Sequence, residues 1–140
     1  MGLSSRTRLR VRYAETDQMG IVYHSNYLIW FEVGRSELFR ELGLPYTKFE
    51  EQGLGLAVVE ASCRYRKPTH YDDELVIVTE IVKMSSRSVI FSYLVYREET
   101  LLAEGKTVHV FINKEGRPTD VHRNAIWSLL QPVLEKQEMI

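Results

Sequence analysis

Tyr13 to Tyr27 reads Y-A-E-T-D-Q-M-G-I-V-Y-H-S-N-Y and packs a strand end, a tight turn and a helix start together. Upstream of it, Arg6 to Tyr13 is predicted as a strand, with Leu9, Val11 and Tyr13 alternating against Arg8, Arg10 and Arg12. Gly20 can take backbone angles closed to other residues, so the chain can turn sharply there. Ser25 and Asn26 are good helix N-caps, and an apolar-periodic run begins directly after them. A helix start offers unpaired backbone N–H groups and the positive end of a dipole. Asp17, a few residues upstream, can therefore face an oxyanion site. Its other reading is as the side-chain cap of its own turn.

Working outward, a helix is expected from about Asn26 to Leu42. Tyr27, Trp30, Phe31, Gly34, Leu38 and Leu42 form one apolar stripe, and Glu32, Arg35, Glu37, Arg40 and Glu41 occupy much of the remainder. Gly34 costs such a helix roughly 1 kcal/mol against alanine, and its place in the stripe points to close packing on a sheet. Gly43 and Pro45 are stop signals. Pro45 to Gln52 fits a short helix with Tyr46 and Phe49 inward, ended by Gly53. Strands follow at Leu56–Arg66, Glu74–Met84 (apolar on both faces), Ser88–Tyr96 and Leu101–Ile112. Their connections are Ser85-Ser86-Arg87 and Arg97-Glu98-Glu99-Thr100, and Asn113 to Gly116 is turn chemistry. In the tail, Ile126, Trp127, Leu129, Leu130, Val133 and Leu134 recur at helical spacing, and Pro132 is expected to kink or end that helix. The order strand, long helix, four strands in meander predicts an α+β fold, with antiparallel pairing and the helix on one face.

A chain of 140 residues fits one domain, 1–140, with a sizeable core. At 44% hydrophobic and 26% charged residues it reads as globular rather than disordered. A net charge of −1 gives no electrostatic reason to expect nucleic acid. The one cysteine, Cys63, cannot close an internal disulfide and sits in a predicted strand as a small apolar residue. Met1 to Arg10 lacks a signal-peptide apolar core, and no run approaches the ~20 apolar residues of a membrane span. A cytoplasmic protein is expected.

Asp17, Gly20, Ile21, Val22, Tyr23, His24, Asn26 and Tyr27, followed by Trp30-Phe31-Glu32, together resemble the signature of the 4-hydroxybenzoyl-CoA thioesterases. With His24 at its position, the segment is most similar to their YbgC-like acyl-CoA thioesterase branch. Y-R-K-P-T-H-Y-D-D from Tyr65 and E-G-K-T-V-H-V-F-I-N-K-E-G-R-P from Glu104 extend the likeness less specifically. The resemblance implies a hotdog fold, an antiparallel sheet of about five strands wrapped around one long central helix. It also implies hydrolysis of an acyl-CoA without a metal or redox cofactor, and an acyl-carrier-protein thioester is compatible with the same reading. A homo-oligomer is implied, a dimer or a tetramer built from dimers.

Thioester hydrolysis needs an attacking oxygen and stabilisation of the carbonyl oxygen as it gains charge. Asp17 can attack directly to form a mixed anhydride or act as general base for a water. Backbone N–H groups near His24 can hold the oxyanion. The resemblance adds His24 and Tyr13 as catalytic candidates, with Gly20, Ile21, Val22, Tyr23 and Tyr27 about the pocket. Because sites in this family lie between subunits, it also implies Val59 and Glu60 lining the pocket from a partner chain. Coenzyme A phosphates call for basic groups at turns: Arg64, Arg66 and Lys67 before Pro68, and Arg87 with Ser88 after the Ser85-Ser86 turn. Each of these also fits an ordinary solvated strand end. Glu32 and Glu37 could act from the helix, though their spacing equally fits a solvated or intersubunit face. His70, His109 and His122 lack metal-ligand spacing, and neither a phosphate loop nor a serine nucleophile elbow is present. His109, within a strand, reads as structural. Two other functions fit the same fold: a hydroxyacyl-thioester dehydratase, and an acyl-CoA-binding module without catalysis.

Overall fold

A computed structural model describes residues 3–138; Met1 and Gly2, part of the stretch read above for targeting, and Met139 and Ile140 lie outside the described residues, as do the side chains of Leu134 and of residues 136–138. Strand β1 runs Leu3–Arg10 and is followed by a 3-10 turn at Tyr13–Glu15. Helices α1 (Asn26–Glu41) and α2 (Tyr46–Glu51) come next. Then follow β2 (Gly55–Tyr65), β3 (Glu74–Met84), β4 (Ser88–Arg97) and β5 (Thr100–Ile112). A 3-10 turn at Val121–Arg123 and helix α3 (Trp127–Glu138) complete the order.

All four pairings are antiparallel, and the sheet order is β1-β3-β4-β5-β2. This departs from the expected four-strand meander, because β2 lies beyond β5 and is not paired with β3. The connection after Tyr65 explains it. Thr69 is buried, its carbonyl accepts Val22 N at 2.8 Å, and His70 bridges to Ile21. Anchored on the Tyr13–Tyr27 segment, the chain crosses to the far side of the sheet before β3 begins.

Helix α1 lies across the sheet and packs mainly on β1 and β3. Trp30, Phe31, Leu38 and Phe39 are buried with Leu75, Ile77, Phe91, Val95 and Phe111. Phe31 stacks on Tyr93 with ring centroids 4.2 Å apart. Two glycines permit this approach. A Cβ on Gly34 would collide with Thr79 Oγ1, and one on Gly105 would strike the Phe31 ring and come within 2.7 Å of Ser62 O. On β3 the inward residues Leu75, Ile77 and Ile81 are buried, while Val76 and Val78 opposite them are only half-buried.

Three further expectations shift. The first strand begins and ends three residues early, since Arg12 and Tyr13 leave the sheet for the 3-10 turn; Tyr13, expected inward, is 75% exposed. Ser25 occupies the N-cap position of α1 but makes no side-chain capping bond. Pro132 does not end α3, which continues to Glu138. Burial of Ile126, Leu130 and Val133 holds that helix in place despite the backbone bond that proline cannot donate. Thus α1 is the longest helix, and α3 is a second one of substantial length.

Candidate active site

Glu15 is the knot of the segment. The residue is 4% exposed, yet its side chain accepts three bonds: Arg12 N at 2.8 Å, the Trp30 indole N–H at 2.8 Å and Arg12 Nη2 at 3.4 Å. Burial works to raise its pKa, but the Arg12 N–H, the Trp30 indole and the Arg12 guanidinium outweigh it and hold the carboxyl below its ordinary value. The Glu15 carbonyl accepts two more bonds, from Tyr23 N and from Asn26 Nδ2, both at 2.9 Å. Asn26 therefore ties the helix start to the turn before Asp17 instead of capping its own helix. Sequence reasoning passed over Glu15. The available signal was Trp30, whose indole N–H needs an acceptor once it is buried.

Between these two ties runs a small hairpin. Thr16 bridges to Val22, Asp17 N donates to Ile21 O at 2.8 Å and Gly20 N to Asp17 O at 3.1 Å. Gly20 has φ +80°, the left-handed conformation this turn needs. Asp17 Oδ1 accepts Met19 N at 2.8 Å and Ile21 N at 3.4 Å. The side chain does cap its turn, through one oxygen. That capping orients the carboxylate and leaves Oδ2 without a hydrogen bond among the described residues.

A cleft of about 310 Å³ opens beside the helix start, lined by Ile21, Val22, His24, Tyr27 and the stretch Tyr65–Pro68. Tyr27 OH shares a hydrogen bond with Thr69 Oγ1 at 2.9 Å, and Tyr65 OH donates to His24 O at 3.2 Å. Burial, with the neighbouring Cys63, pushes the Tyr65 hydroxyl up to about 12, so it stays a donor. The Tyr23 and His24 rings lie 4.4 Å apart. Among the described residues, the His24 and Ser25 amides make no hydrogen bond, as an oxyanion site requires.

Of the residues singled out from sequence, one chain thus gathers Ile21, Val22, His24, Tyr27, Arg66 and Lys67 on one cleft, with Asp17, Gly20 and Tyr23 on the adjoining hairpin and turn. Arg66 already donates to Glu104 at 3.0 Å. The others lie elsewhere. Tyr13 packs edge-on against Tyr71 away from the cleft lining. Arg64 lines a separate depression with Ser62 and Lys106. Arg87 pairs with Asp120 at 3.4 Å, and Ser88 faces Val110 in the β4–β5 ladder. Val59, 58% exposed, and Glu60 sit at a bulge in the edge strand β2. Glu32 is exposed on α1, and Glu37 pairs with Arg40 at 3.4 Å. No group of three or more histidine, cysteine or acidic residues among the described residues could hold a metal. His109 is buried against Thr107, its Nε2 2.8 Å from Oγ1.

The family model for the thioesterase-like superfamily matches residues 11–136. The putative acyl-CoA thioesterase YneP of Bacillus subtilis is 40% identical over 79% of this chain and 81% of its own length. The acyl-CoA thioester hydrolase YbgC of Escherichia coli is 32% identical over 77% of this chain and 81% of its own. Among solved structures, the DHNA-CoA thioesterase of Staphylococcus aureus superposes with a TM-score of 0.91, at 29% identity, over 97% of this chain and 91% of that one. With its five-stranded antiparallel sheet laid over α1, the chain has the hotdog fold and belongs to the thioesterase-like superfamily.

Proposed function

We propose that this chain hydrolyses an acyl-CoA thioester to a carboxylic acid and free CoA, with Asp17 supplying or activating the attacking oxygen. The observation that carries this reading is the Glu15 tie. One carbonyl accepts from Tyr23 and Asn26, so the Asp17 hairpin and the start of α1 hold a fixed relation. Oδ2 of Asp17 attacks the thioester carbon, or takes a proton from the water that does. The amides of His24 and Ser25, at the positive end of α1, hold the carbonyl oxygen as charge develops, each such donor contributing about 3–4 kcal/mol. The imidazole of His24 sits at the same cleft to position water or carry a proton. On the direct route water then cleaves the mixed anhydride; on either route the CoA thiolate leaves the carbonyl carbon and takes up the proton that the water gives up. No group beyond the CoA of the substrate is required.

The site is completed by a second copy. The edge strand β2 carries exposed Val58 and Val59 and pairs on one side only, so it can extend the sheet across a twofold axis. Such pairing brings Val59 and Glu60 of the partner toward the cleft and gives Arg64, Arg87 and Ser88, remote from it in one chain, a route to the CoA phosphates. A dimer is the smallest active unit, each chain acting as one hotdog domain, and dimers can pair further into tetramers. No described helix is long and apolar enough to cross a membrane, and we place the activity in the cytoplasm. An acyl-carrier-protein thioester would enter the same cleft.

Thiol release from a panel of acyl-CoAs, by wild type and Asp17→Asn, tests the reading. Wild type is expected to turn over, and the folded variant to lose at least ~10²-fold. Full activity in Asp17→Asn would remove Asp17 from the mechanism. Acyl-CoA binding by wild type without thiol release would make the chain a binding module.

A further inference from the structure

We propose that the cavity beside Arg35 is a second ligand site, which takes a small monocarboxylate with an apolar body. The cavity measures about 320 Å³ and lies where α1, α2 and the start of β2 meet. Arg35 and Tyr46 give it a polar wall, while Phe49, Leu54 and Leu56 give it an apolar one. Arg35 is only 8% exposed, and its hydrogen-bonding neighbours are phenols: Nη1 donates to Tyr93 OH at 3.5 Å, and Tyr46 is the other; the neutral His109 ring also feels its charge. Its Nε has no hydrogen-bond partner in the described structure, and among the described residues Arg35 forms no ion pair.

A buried guanidinium without a counter-ion is an unfavourable state that an entering anion relieves. Carboxylate fits the planar fork of arginine, and the leucines and phenylalanine suit an aliphatic or aromatic body. Glu32 and Glu50, exposed on the same cavity, oppose a doubly charged ligand such as phosphate and leave a monoanion favoured. The volume is at the lower end for ligand sites, which limits the body to a short chain or a single ring. This cavity shares no lining residue with the cleft at His24; Leu56 and Tyr65 stand near opposite ends of β2. The ligand belongs to the chemical class of the acid released in the proposed reaction, yet its binding here does not depend on hydrolysis.

Calorimetric titration with benzoate, hexanoate, benzamide and inorganic phosphate tests it without any acyl-CoA. One of the two acids is expected to bind, with benzamide and phosphate at least ~10-fold weaker. Arg35→Met, which removes the charge, and Leu56→Trp, which fills the cavity, are each expected to weaken the acid at least ~10-fold. Circular dichroism confirms their folding; if Arg35→Met unfolds, Leu56→Trp and the benzamide comparison decide. The proposal is overturned if benzamide matches benzoate, or if no acid binds at millimolar concentration. It is equally overturned if a folded variant binds acid unchanged, which would place the acid in the His24 cleft. Dissociation of the oligomer by Arg35→Met, with no acid bound by wild type, would assign the counter-ion to a second copy and also overturn it.

Discussion

Glu15→Gln keeps the shape of the side chain and removes the charge that three donors address. Loss of that charge-assisted bonding is expected to destabilise the fold by about 1–3 kcal/mol, read from urea midpoints at neutral pH. Because the folded carboxyl titrates below its ordinary value of 4.5, its stabilisation is present above 4.5 and fades as pH falls through the folded value. His109 acts in the window just above. Burial, helped by the charge of Arg35, lowers its pKa from 6.5 to about 4, so the native state holds it neutral. Its stabilising contribution is complete above 6.5 and is lost between 6.5 and about 4, by a total of roughly 3 kcal/mol. Urea midpoints of wild type from pH 7 to 4.5 should fall accordingly, and a folded His109→Asn should fall less. A flat wild-type profile would contradict the buried neutral ring. At this scale the turn at Gly20 and the helix start after His24 were legible because each is encoded by adjacent residues. Glu15 was not, since its partner Trp30 stands fifteen positions away.

Within elements, spacing alone marked every strand and the two helices after the motif to within a few residues. Its larger slips lie at the first strand, where Glu15 draws Arg12 out of the sheet, and at the end of α3, which runs on past Pro132. Gly34 shows what periodicity can and cannot say. Its place in the apolar stripe pointed to close packing, but the atom it clears, Thr79 Oγ1, belongs to a strand far along the chain. In an open helix Gly34→Ala would gain about 1 kcal/mol. Here the collision reverses the sign, and a net loss of about 1–3 kcal/mol is expected in thermal or urea unfolding. Gly105→Ala should cost more, because one of its neighbours is backbone, Ser62 O, which cannot rotate away. A stabilised Gly34→Ala would show that α1 can lift from β3 without penalty.

Across the whole molecule the sheet order escaped the sequence because pairing of distant strands leaves no local pattern. The place of β2 depends on Thr69 and His70 anchoring to Val22 and Ile21, a contact between segments that read separately as motif and loop. The same arrangement puts the exposed valines of β2 on a free edge. Val59→Lys should blunt that edge and lower the mass seen by light scattering to that of one chain, with thiol release falling in parallel. An unchanged oligomer would move the interface elsewhere.

The order of the strands also sets a timetable for synthesis. Both edge strands, β1 and β2, leave the ribosome before the strands they pair with, β3 and β5. At roughly 5–20 residues per second, each spends seconds with its backbone unpaired. The β3–β4 hairpin is the first part of the sheet that can close on itself; β1 must be gathered onto β3, and β2 onto β5 once that strand has followed. A nascent chain of this design therefore carries unpaired strand backbone from its start and covers its second edge last.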